Sequence, residues 1–234
     1  MSLIGADDLE ALALSLRVAG VATLGGLPVA LGLAYILTRT RLPGRRALDA
    51  VITLPLVLPP VATGFGLLIL FGRHGPLGAL LAKFGVVLAF HWTGAALAST
   101  VMALPLMVRP IRQAMEAIDP DLEDAARALG AGPWDRFFRV TAPLAAPGIA
   151  AGAILGFARA LGEFGATITF AAAIPGATLT LPADIYQATQ TPGQETHALA
   201  LCGLAAFIAL AAAFASEALA GRIAPGSRAA PTRA

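Results

Sequence analysis

The chain alternates between long apolar stretches and shorter polar ones, and the apolar stretches set its architecture. Each is long enough, at roughly 20 residues, to cross the hydrocarbon core of a bilayer as a helix. Glycine and proline occur inside them and are tolerated, because neighbouring helices can satisfy the freed backbone groups. The pattern predicts an all-α polytopic membrane protein with five transmembrane helices, at about 11–37, 48–71, 86–108, 143–170 and 198–221.

The longest polar interruption, 119–143, is predicted to be ordered. Asp119 suits an N-cap and Pro120 suits the first helical position. Gly130 stands where a left-handed residue ends a helix, and a second short helix can begin at Pro133. Between the caps, apolar residues recur on one face, at Leu122, Ala125, Ala126 and Leu129. This is more order than a connector needs, so we predict a helix pair that docks on a partner.

Composition places this pattern in a membrane. Apolar residues make up 57% of the chain and charged residues 13%, with a mean hydropathy of +0.77. Soluble domains carry about 25% charged residues, so this chain cannot cover its own surface in water. The formal net charge of +2 gives no indication of nucleic-acid binding. The lipid bilayer is therefore the expected surrounding.

The basic residues predict the orientation in the membrane. Twelve of the sixteen lie in three stretches that five spans place on one side, and two lie between spans two and three on the other side. Because basic loops stay in the cytoplasm, we predict that the N-terminus is outside and the helix pair is cytoplasmic, between spans three and four. The twelve are Arg39, Arg41, Arg45, Arg46, Arg109, Arg112, Arg127, Arg136, Arg139, Arg222, Arg228 and Arg233; the two are Arg73 and Lys83.

The domain organisation predicted from these features is simple. Residues 1–222 form a single transmembrane domain whose cytoplasmic loop spans 112–142, and 223–234 form a disordered tail. The outer loop 171–197 lacks lysine and arginine. It either contains a short helix at about 183–190 or remains a solvent loop.

The chain lacks the residue patterns of an enzyme. It contains no glycine-rich phosphate loop, no histidine and cysteine cluster with metal-ligand spacing, and no nucleophile elbow. We therefore predict no catalytic residue and no metal site. Any ATP that drives this protein must be hydrolysed on another chain.

Polar residues inside the predicted spans are candidates for a transport path or gate. Arg159 and Glu163 lie four residues apart and can neutralise each other, so they either hold the structure or a gate together, or bind substrate. Hydroxyl groups can line a path or can bond to their own helix backbone. The candidates are Thr63, Ser99, Thr100 and Thr167. Pro59 and Pro60 predict a distorted helix beside Thr63.

The polar stretch resembles a signature of the membrane subunits of ATP-binding-cassette importers. That signature reads E-A-A, three residues, G, nine residues, I, one residue, L-P. Asp124, Ala125 and Ala126 are followed at this spacing by Gly130 and then by Val140, Ala142 and Pro143. In that family the two short helices fit a cleft on the ATPase subunit. The resemblance implies ATPase-coupling roles for Glu123, Asp124, Ala125, Ala126 and Gly130.

Other segments narrow the resemblance to molybdate permeases. The stretch FARALGEFGATITF at 157–170 is similar to this group, as is the segment 54–78. Sulfate and tungstate permeases share the GEFGA pattern, whereas the later IPG and QTPG segments favour molybdate. The resemblance implies an importer subunit that passes molybdate, with sulfate or tungstate as alternatives. A secondary transporter driven by an ion gradient is the alternative of another class, but it would need ionisable residues spread over several spans.

The resemblance also implies the partners. They are a second copy of the chain, two ATPase subunits and a periplasmic oxyanion-binding protein, all at the inner membrane of a bacterium. ATP and Mg²⁺ would be bound by the ATPase subunits, so this chain is expected to bind no cofactor of its own.

Overall fold

The computed structural model describes residues 5–40 and 43–223, apart from the side chains of 213 and 215–223, and this part of the chain contains helices and no strands. The predicted all-α class is thereby confirmed. The tail from residue 224 onward lies outside the described residues. The helices are α1 Ala6–Arg39, α2 Arg45–Val57, α3 Pro60–Phe71, α4 Pro76–Ala82, α5 Trp92–Glu116, α6 Pro120–Ala128, α7 Pro133–Arg136, a π-helical turn Phe137–Thr141, α8 Ala142–Leu144, α9 Ala146–Leu161, α10 Gly165–Ala171, α11 Leu181–Gln190 and α12 Glu195–Ile223.

Helix α5 forms the centre of the fold and packs against α1 and α9, which also contact each other. The largest cluster of buried side chains lies between these three helices and includes Ala30, Met107, Ile111, Ala145 and Ala160. A second cluster, which includes Leu67, Met102 and Phe170, joins α3, α5 and α10. Helix α5 therefore contributes side chains to both clusters.

Glycines on α9, spaced four residues apart, bring its backbone against α5. A Cβ atom at Gly148 would lie 2.6 Å from the carbonyl oxygen of Pro110, and one at Gly152 would lie 2.8 Å from that of Met107. A Cβ atom at Gly156 would overlap the Met107 side chain. Only glycine allows this approach, so α9 and α5 pack closely along this face.

Two of the predicted spans are broken rather than straight. Helices α2 and α3 meet at a bend of 116° after Val57, where Pro59 and Pro60 lack the N–H groups that would continue α2. The segment Pro133–Leu144 meets Ala146–Leu161 at 71°, and α9 then stops before α10 begins at Gly165. The distortion predicted at the proline pair is confirmed. The uninterrupted span predicted over 143–170 is corrected.

The third predicted span is displaced along the chain. Helix α5 begins at Trp92, because residues 83–91 form a loop in which Phe90 has a φ of +59°. It continues to Glu116, beyond the predicted end at 108, because its last turns are helical although they are polar. A prediction based on apolar length does not include such turns. Within the described residues, three helices are long and apolar enough to cross a membrane, or five if each bent pair is one span. Helix α11 decides between the two alternatives for the loop 171–197, which contains a short helix.

Many of the arginines gather at one end of the helix bundle, which we call the Arg-rich end. Arg112 pairs with Asp49 at 3.1 Å and with Glu116 at 2.8 Å, and Arg45 approaches Glu116 at 3.4 Å. These contacts tie the start of α2 to the end of α5. The opposite end, where α1 and α12 begin and the loop after α10 lies, is called the Arg-poor end.

We expect Gly152→Ala to destabilise the protein, because the new Cβ would lie 2.8 Å from a backbone oxygen of α5 and one helix must shift. Overpacking of this kind costs about 1–3 kcal/mol. The matched control is Gly20→Ala on α1, where a Cβ atom meets nothing within 4 Å. The control should keep or raise the melting temperature, because alanine favours helix. Equal melting temperatures for the two variants in detergent would contradict the packing described here.

Candidate functional site

The helix pair at the Arg-rich end is built as the sequence predicts. The side chain of Asp119 accepts a hydrogen bond from the backbone N–H of Asp121 at 3.0 Å, and Pro120 opens α6. Gly130 has a φ of +83°, which ends the helix in the left-handed region. Its N–H donates to the carbonyl of Arg127 at 3.0 Å. The turn therefore has a defined shape, and α7 begins two residues after Ala131.

The outer surface of this helix pair is apolar and uncovered. Neither α6 nor α7 contains a buried residue. Leu129 is 89% exposed and Trp134 is 76% exposed, and the ring of Trp134 stacks on Phe138 with centroids 6.1 Å apart. We call this surface the docking face and define it as Leu122, Ala125, Leu129, Trp134 and Phe138. A polar setting with exposed large apolar groups is typical of a protein interface.

Two neighbouring acidic residues of α6, Glu123 and Asp124, point in different directions. Asp124 is 63% exposed and pairs with Arg127 of the same helix at 2.9 Å. Glu123 is 17% exposed and faces the bundle, where its Oε1 accepts hydrogen bonds from Nε of Arg39 and from Oγ1 of Thr141, both at 2.9 Å. The resemblance described above implied the same role for both residues. The helix turns Glu123 toward the bundle and leaves most of Asp124 exposed.

The hydroxyl groups selected as path candidates fall into two classes. Thr100 donates to the carbonyl of Ala96 at 2.7 Å, and Thr167 donates to that of Phe164 at 2.9 Å, so both bond to their own helix. The hydroxyl oxygens of Thr63 and Ser99 are buried and have no hydrogen-bond partner in the described part of the chain. These two groups keep free hydrogen-bonding capacity on α3 and α5, which pack against each other and against α10.

Arg159 and Glu163 meet at the break between α9 and α10. Nη1 of Arg159 lies 2.6 Å from Oε2 of Glu163, whose side chain is almost fully buried. The other carboxylate oxygen of Glu163 accepts the N–H of Ala166 at 2.7 Å, in the first turn of α10. Glu163 therefore lies past the end of α9 and caps the next helix. This corrects the expectation that both residues sit on one continuous helix.

The two broken spans touch at their breaks, which the sequence did not predict. A Cβ atom at Gly165 would lie 2.7 Å from Cβ of Pro60, and one at Gly64 would lie 2.5 Å from the carbonyl oxygen of Ala166. Gly165 of the GEFGA segment and Gly64 of α3 thus allow α10 to cross the proline break before α3. The proline pair and the GEFGA segment were both visible in the sequence, but only the fold shows that they are in contact. Interrupted helices at membrane depth are tolerated where they are covered by protein or line a cavity.

The Arg-poor end carries a cavity of about 530 Å³ between the start of α1, the start of α5 and the loop 175–179. Its lining is mixed in charge, with Asp7 and Glu10 beside Arg17. The guanidinium carbon of Arg17 lies 3.8 Å from the ring centroid of Trp92, which holds the arginine against α5. A surface of this kind offers both signs of charge to a partner.

A second group at the Arg-poor end joins α1, α11 and α12. Nε2 of His197 lies 3.3 Å from Oδ1 of Asp8, and Oδ2 of Asp8 accepts the N–H of Gly5 at 2.6 Å. Oδ2 of Asp184 is buried, and the described residues supply no donor to it. Burial, followed by the neighbouring charge of Asp8, raises the pKa of Asp184. The carboxyl of Asp184 is therefore more stable in its protonated form than in solution.

Comparison with known proteins agrees with this architecture. A family model described as "Binding-protein-dependent transport system inner membrane component" matches residues 26–228. The molybdenum transport system permease protein ModB of Escherichia coli (strain K12) is 50% identical over 212 residues, which cover 90% of this chain and 93% of that protein. The ModB protein of Haemophilus influenzae is 47% identical and covers 92% of this chain and 95% of its own length.

A solved structure shares the fold. A bacterial ABC transporter involved in the import of the acidic polysaccharide alginate contains a chain that aligns with a TM-score of 0.76, at 20% identity. The alignment covers 94% of this chain and 81% of the other. At this identity the similarity concerns the arrangement of the helices.

Removing the carboxylate at the break should destabilise the protein. Glu163→Ala leaves the Arg159 guanidinium and the N–H of Ala166 without their partner, and loss of one member of a buried ion pair costs about 3–5 kcal/mol. Arg159 is a quarter exposed, so the loss should lie at the lower end of that range. Glu163→Gln, which keeps an acceptor for Ala166, should lose less. The double variant Arg159→Gln/Glu163→Gln should lose less than the sum of the single changes in unfolding experiments, and additive losses would contradict direct pairing.

The raised pKa of Asp184 predicts a pH dependence of stability. The folded protein holds this proton to a higher pH than the unfolded chain does, whose ordinary value is 3.8. The stabilisation is therefore complete below that value and is lost as the pH rises through the folded-state pKa. The free energy of unfolding should fall over that window, and Asp184→Asn should remove the fall. Identical pH profiles for the two proteins would contradict the burial of this carboxyl.

Proposed function

The chain belongs to the family of binding-protein-dependent transport system inner membrane components, and from this premise we propose that it is the permease subunit of an ATP-binding-cassette importer that passes molybdate across the cytoplasmic membrane. The assignment of molybdate rests on the sequence identity of 47–50%, over nearly the whole length of the chain, with proteins named as molybdenum permeases. Sulfate and tungstate share the tetrahedral oxyanion chemistry and are the competing substrates in the test below.

The docking face supports a separate motor subunit. Large apolar side chains around a turn of fixed shape are costly to leave in water, and they gain stability when a partner covers them. We assign this partner as an ATP-binding-cassette ATPase subunit, which holds the ATP and Mg²⁺, while this chain binds no cofactor. Asp124, Ala125, Ala126 and Gly130 are the proposed contacts or shape-giving residues of that interface, with Glu123 beside them.

The assembly we propose contains two copies of the chain. Five spans do not readily surround a path, whereas ten spans around a two-fold axis can do so. Several helices also present uncovered apolar side chains, among them Leu24, Val57, Phe65 and Phe207. In a membrane assembly these face lipid or the second copy. A periplasmic oxyanion-binding protein would approach the Arg-poor end.

The topology we propose has five spans, each bent pair counting as one, with the N-terminus outside. This places the Arg-rich end and its helix pair in the cytoplasm, in agreement with the distribution of basic residues. Residues 1–222 then act as one permease domain with the coupling loop 112–142. The bacterial inner membrane is the location that fits this arrangement.

The touching helix breaks are our candidate for the transport path or gate. Free hydroxyls on Thr63 and Ser99 can donate to an anion, whereas Thr100 and Thr167 would first have to leave their backbone partners. Arg159 is partly exposed and is neutralised by Glu163, so any contact that it makes with an anion must compete with the carboxylate. A weak site is appropriate, because a deep energy minimum on the path would prevent release.

The test is reconstitution of the chain with its ATPase subunits and binding protein in proteoliposomes. We expect ATP-dependent accumulation of molybdate, with smaller accumulation of tungstate and sulfate when the binding protein is loaded with each anion in turn. Uptake that requires an ion gradient and no ATP would instead indicate a secondary transporter. Preference for sulfate would contradict the assigned substrate while leaving the class intact.

Leu129→Ser should weaken the complex with the ATPase subunit, because it removes the most exposed apolar contact of the docking face. We expect the ATPase subunit to copurify at a level reduced about tenfold, which corresponds to losing one well-buried side chain at an interface. The matched control is Phe84→Ser, since Phe84 is 77% exposed but lies in the loop before α5. Equal recovery of the ATPase subunit with both variants would exclude the docking face as its binding site.

A further inference from the structure

An ionic cluster behind the docking face links four parts of the fold. Arg39, in the last turn of α1, donates from Nε to Glu123 of α6 at 2.9 Å and from Nη2 to the carbonyl oxygen of Met115 on α5 at 2.8 Å. Thr141, at the end of the π-helical turn that leads into α8 and α9, donates to the same oxygen of Glu123 at 2.9 Å. We call these groups the Arg39 cluster. Glu123 is its centre, because two of the three contacts end on one of its oxygens.

The cluster is shielded from solvent, unlike the other charged contacts of the helix pair. The side chains of Arg39 and Glu123 are 18% and 17% exposed, and Thr141 is buried. Hydrogen bonds to charged groups are stronger than those between uncharged groups. Exposed ion pairs contribute little to stability because water and salt screen them, and this screening is weaker where the pair is shielded from solvent. The pair of Asp124 and Arg127, which joins two residues of one helix, is mostly exposed and lacks these conditions.

Apolar packing does not hold α6 against α1. Helix α6 has no buried residue, and its apolar side chains belong to the docking face rather than to the core. The space between α6 and α1 is a polar cavity of about 290 Å³, and its lining includes Tyr35, Arg39, Glu123 and Thr141 together with the more exposed pair Asp124 and Arg127. Displacement of α6 by a partner can therefore reach α1 through the ionic contact, and it can reach α9 through Thr141.

We propose that Glu123 and Arg39 form a positioning pair that transmits the movement of the docking helix to α1, α5 and α9, and that Glu123 is not itself a contact for the partner subunit. The inference rests on the proposed function, since it needs a motor that moves α6. It divides the acidic pair of the signature into two roles. Asp124 is the contact for the partner subunit, and Glu123 contacts Arg39 and Thr141 within the helix bundle.

The pairing is suited to transmission for a geometric reason. Arg39 reaches α5 and α6 with two different nitrogens of one planar guanidinium, so it fixes the angle between them as well as their distance. Without Glu123 the guanidinium keeps only its bond to the Met115 carbonyl, and α6 is free to move without displacing α1. ATP hydrolysis would then continue while transport is lost.

The experiment uses the reconstituted complex with ATPase subunits and binding protein, and it measures three quantities. They are the amount of ATPase subunit that copurifies, the ATPase rate, and the molybdate taken up per ATP hydrolysed. For Glu123→Gln we expect normal copurification, an ATPase rate within about twofold of wild type, and uptake per ATP reduced about tenfold, as for loss of one charged interaction in a coupled step. Arg39→Gln should reproduce this pattern.

Two further variants separate positioning from folding and from docking. The exchange Arg39→Glu/Glu123→Arg restores opposite charges across the same gap, and it should recover a large part of the lost uptake per ATP, which a merely misfolded protein would not do. The matched control Asp124→Asn changes the adjacent acidic residue. We expect it to lower copurification and to leave uptake per ATP unchanged in the complexes that form.

Each other outcome would overturn the inference. Loss of copurification in Glu123→Gln with normal uptake per ATP would make Glu123 a docking contact. Wild-type behaviour of Glu123→Gln in all three quantities would remove any role for the pair, and failure of the charge exchange to restore coupling would reduce it to a folding contact. Failure of the proposed function is distinguishable, because the wild-type complex would then show no ATP-driven uptake at all.

Discussion

Close approach of helix backbones is the constraint on which the rest of this structure depends. Inside a bilayer there is little hydrophobic gain from bringing two apolar helices together, so association relies on packing at short range and on hydrogen bonds. The glycines of α9 permit this packing, and α5 supplies the backbone oxygens and the Met107 side chain that they meet. Because α5 packs against both α1 and α9, it also gives a rigid reference for the elements at both ends of the bundle.

The same physics explains why the interrupted helices are found where they are. A break in a helix exposes backbone N–H and carbonyl groups that cannot be left unpaired in hydrocarbon. Here the break after α9 is satisfied by the carboxylate of Glu163, which bonds to Ala166 and is neutralised by Arg159. The break before α3 is covered by α10 through Gly64 and Gly165. Irregular backbone is thereby placed in the interior, where the hydroxyl groups of Thr63 and Ser99 have no partner within the described part of the chain.

The Arg-rich end combines two kinds of interaction with different purposes. The docking face is apolar and open, which suits a surface that a second protein covers. The Arg39 cluster is charged and shielded, which suits a joint that must keep its angle when it is pushed. A helix attached mainly by such a joint can move as a rigid element, because it has no core packing of its own to break. A displacement of α6 by a partner would therefore act on α1, α5 and α9 through the contacts of the Arg39 cluster.

Much of this protein was determined by its sequence alone. Hydrophobic length gave the membrane class and the positions of the apolar segments, and local chemistry at Asp119, Pro120 and Gly130 gave the helix pair, because caps and turns depend on residues a few positions apart. Only the tertiary structure decided that the break near Pro60 touches the break near Gly165, that Glu163 caps α10, and that Glu123 faces Arg39 while Asp124 faces outward. These contacts join residues far apart in the chain, or depend on the direction of a side chain relative to another helix. Neither hydrophobic periodicity nor spacing contains that information, since both describe one helix at a time.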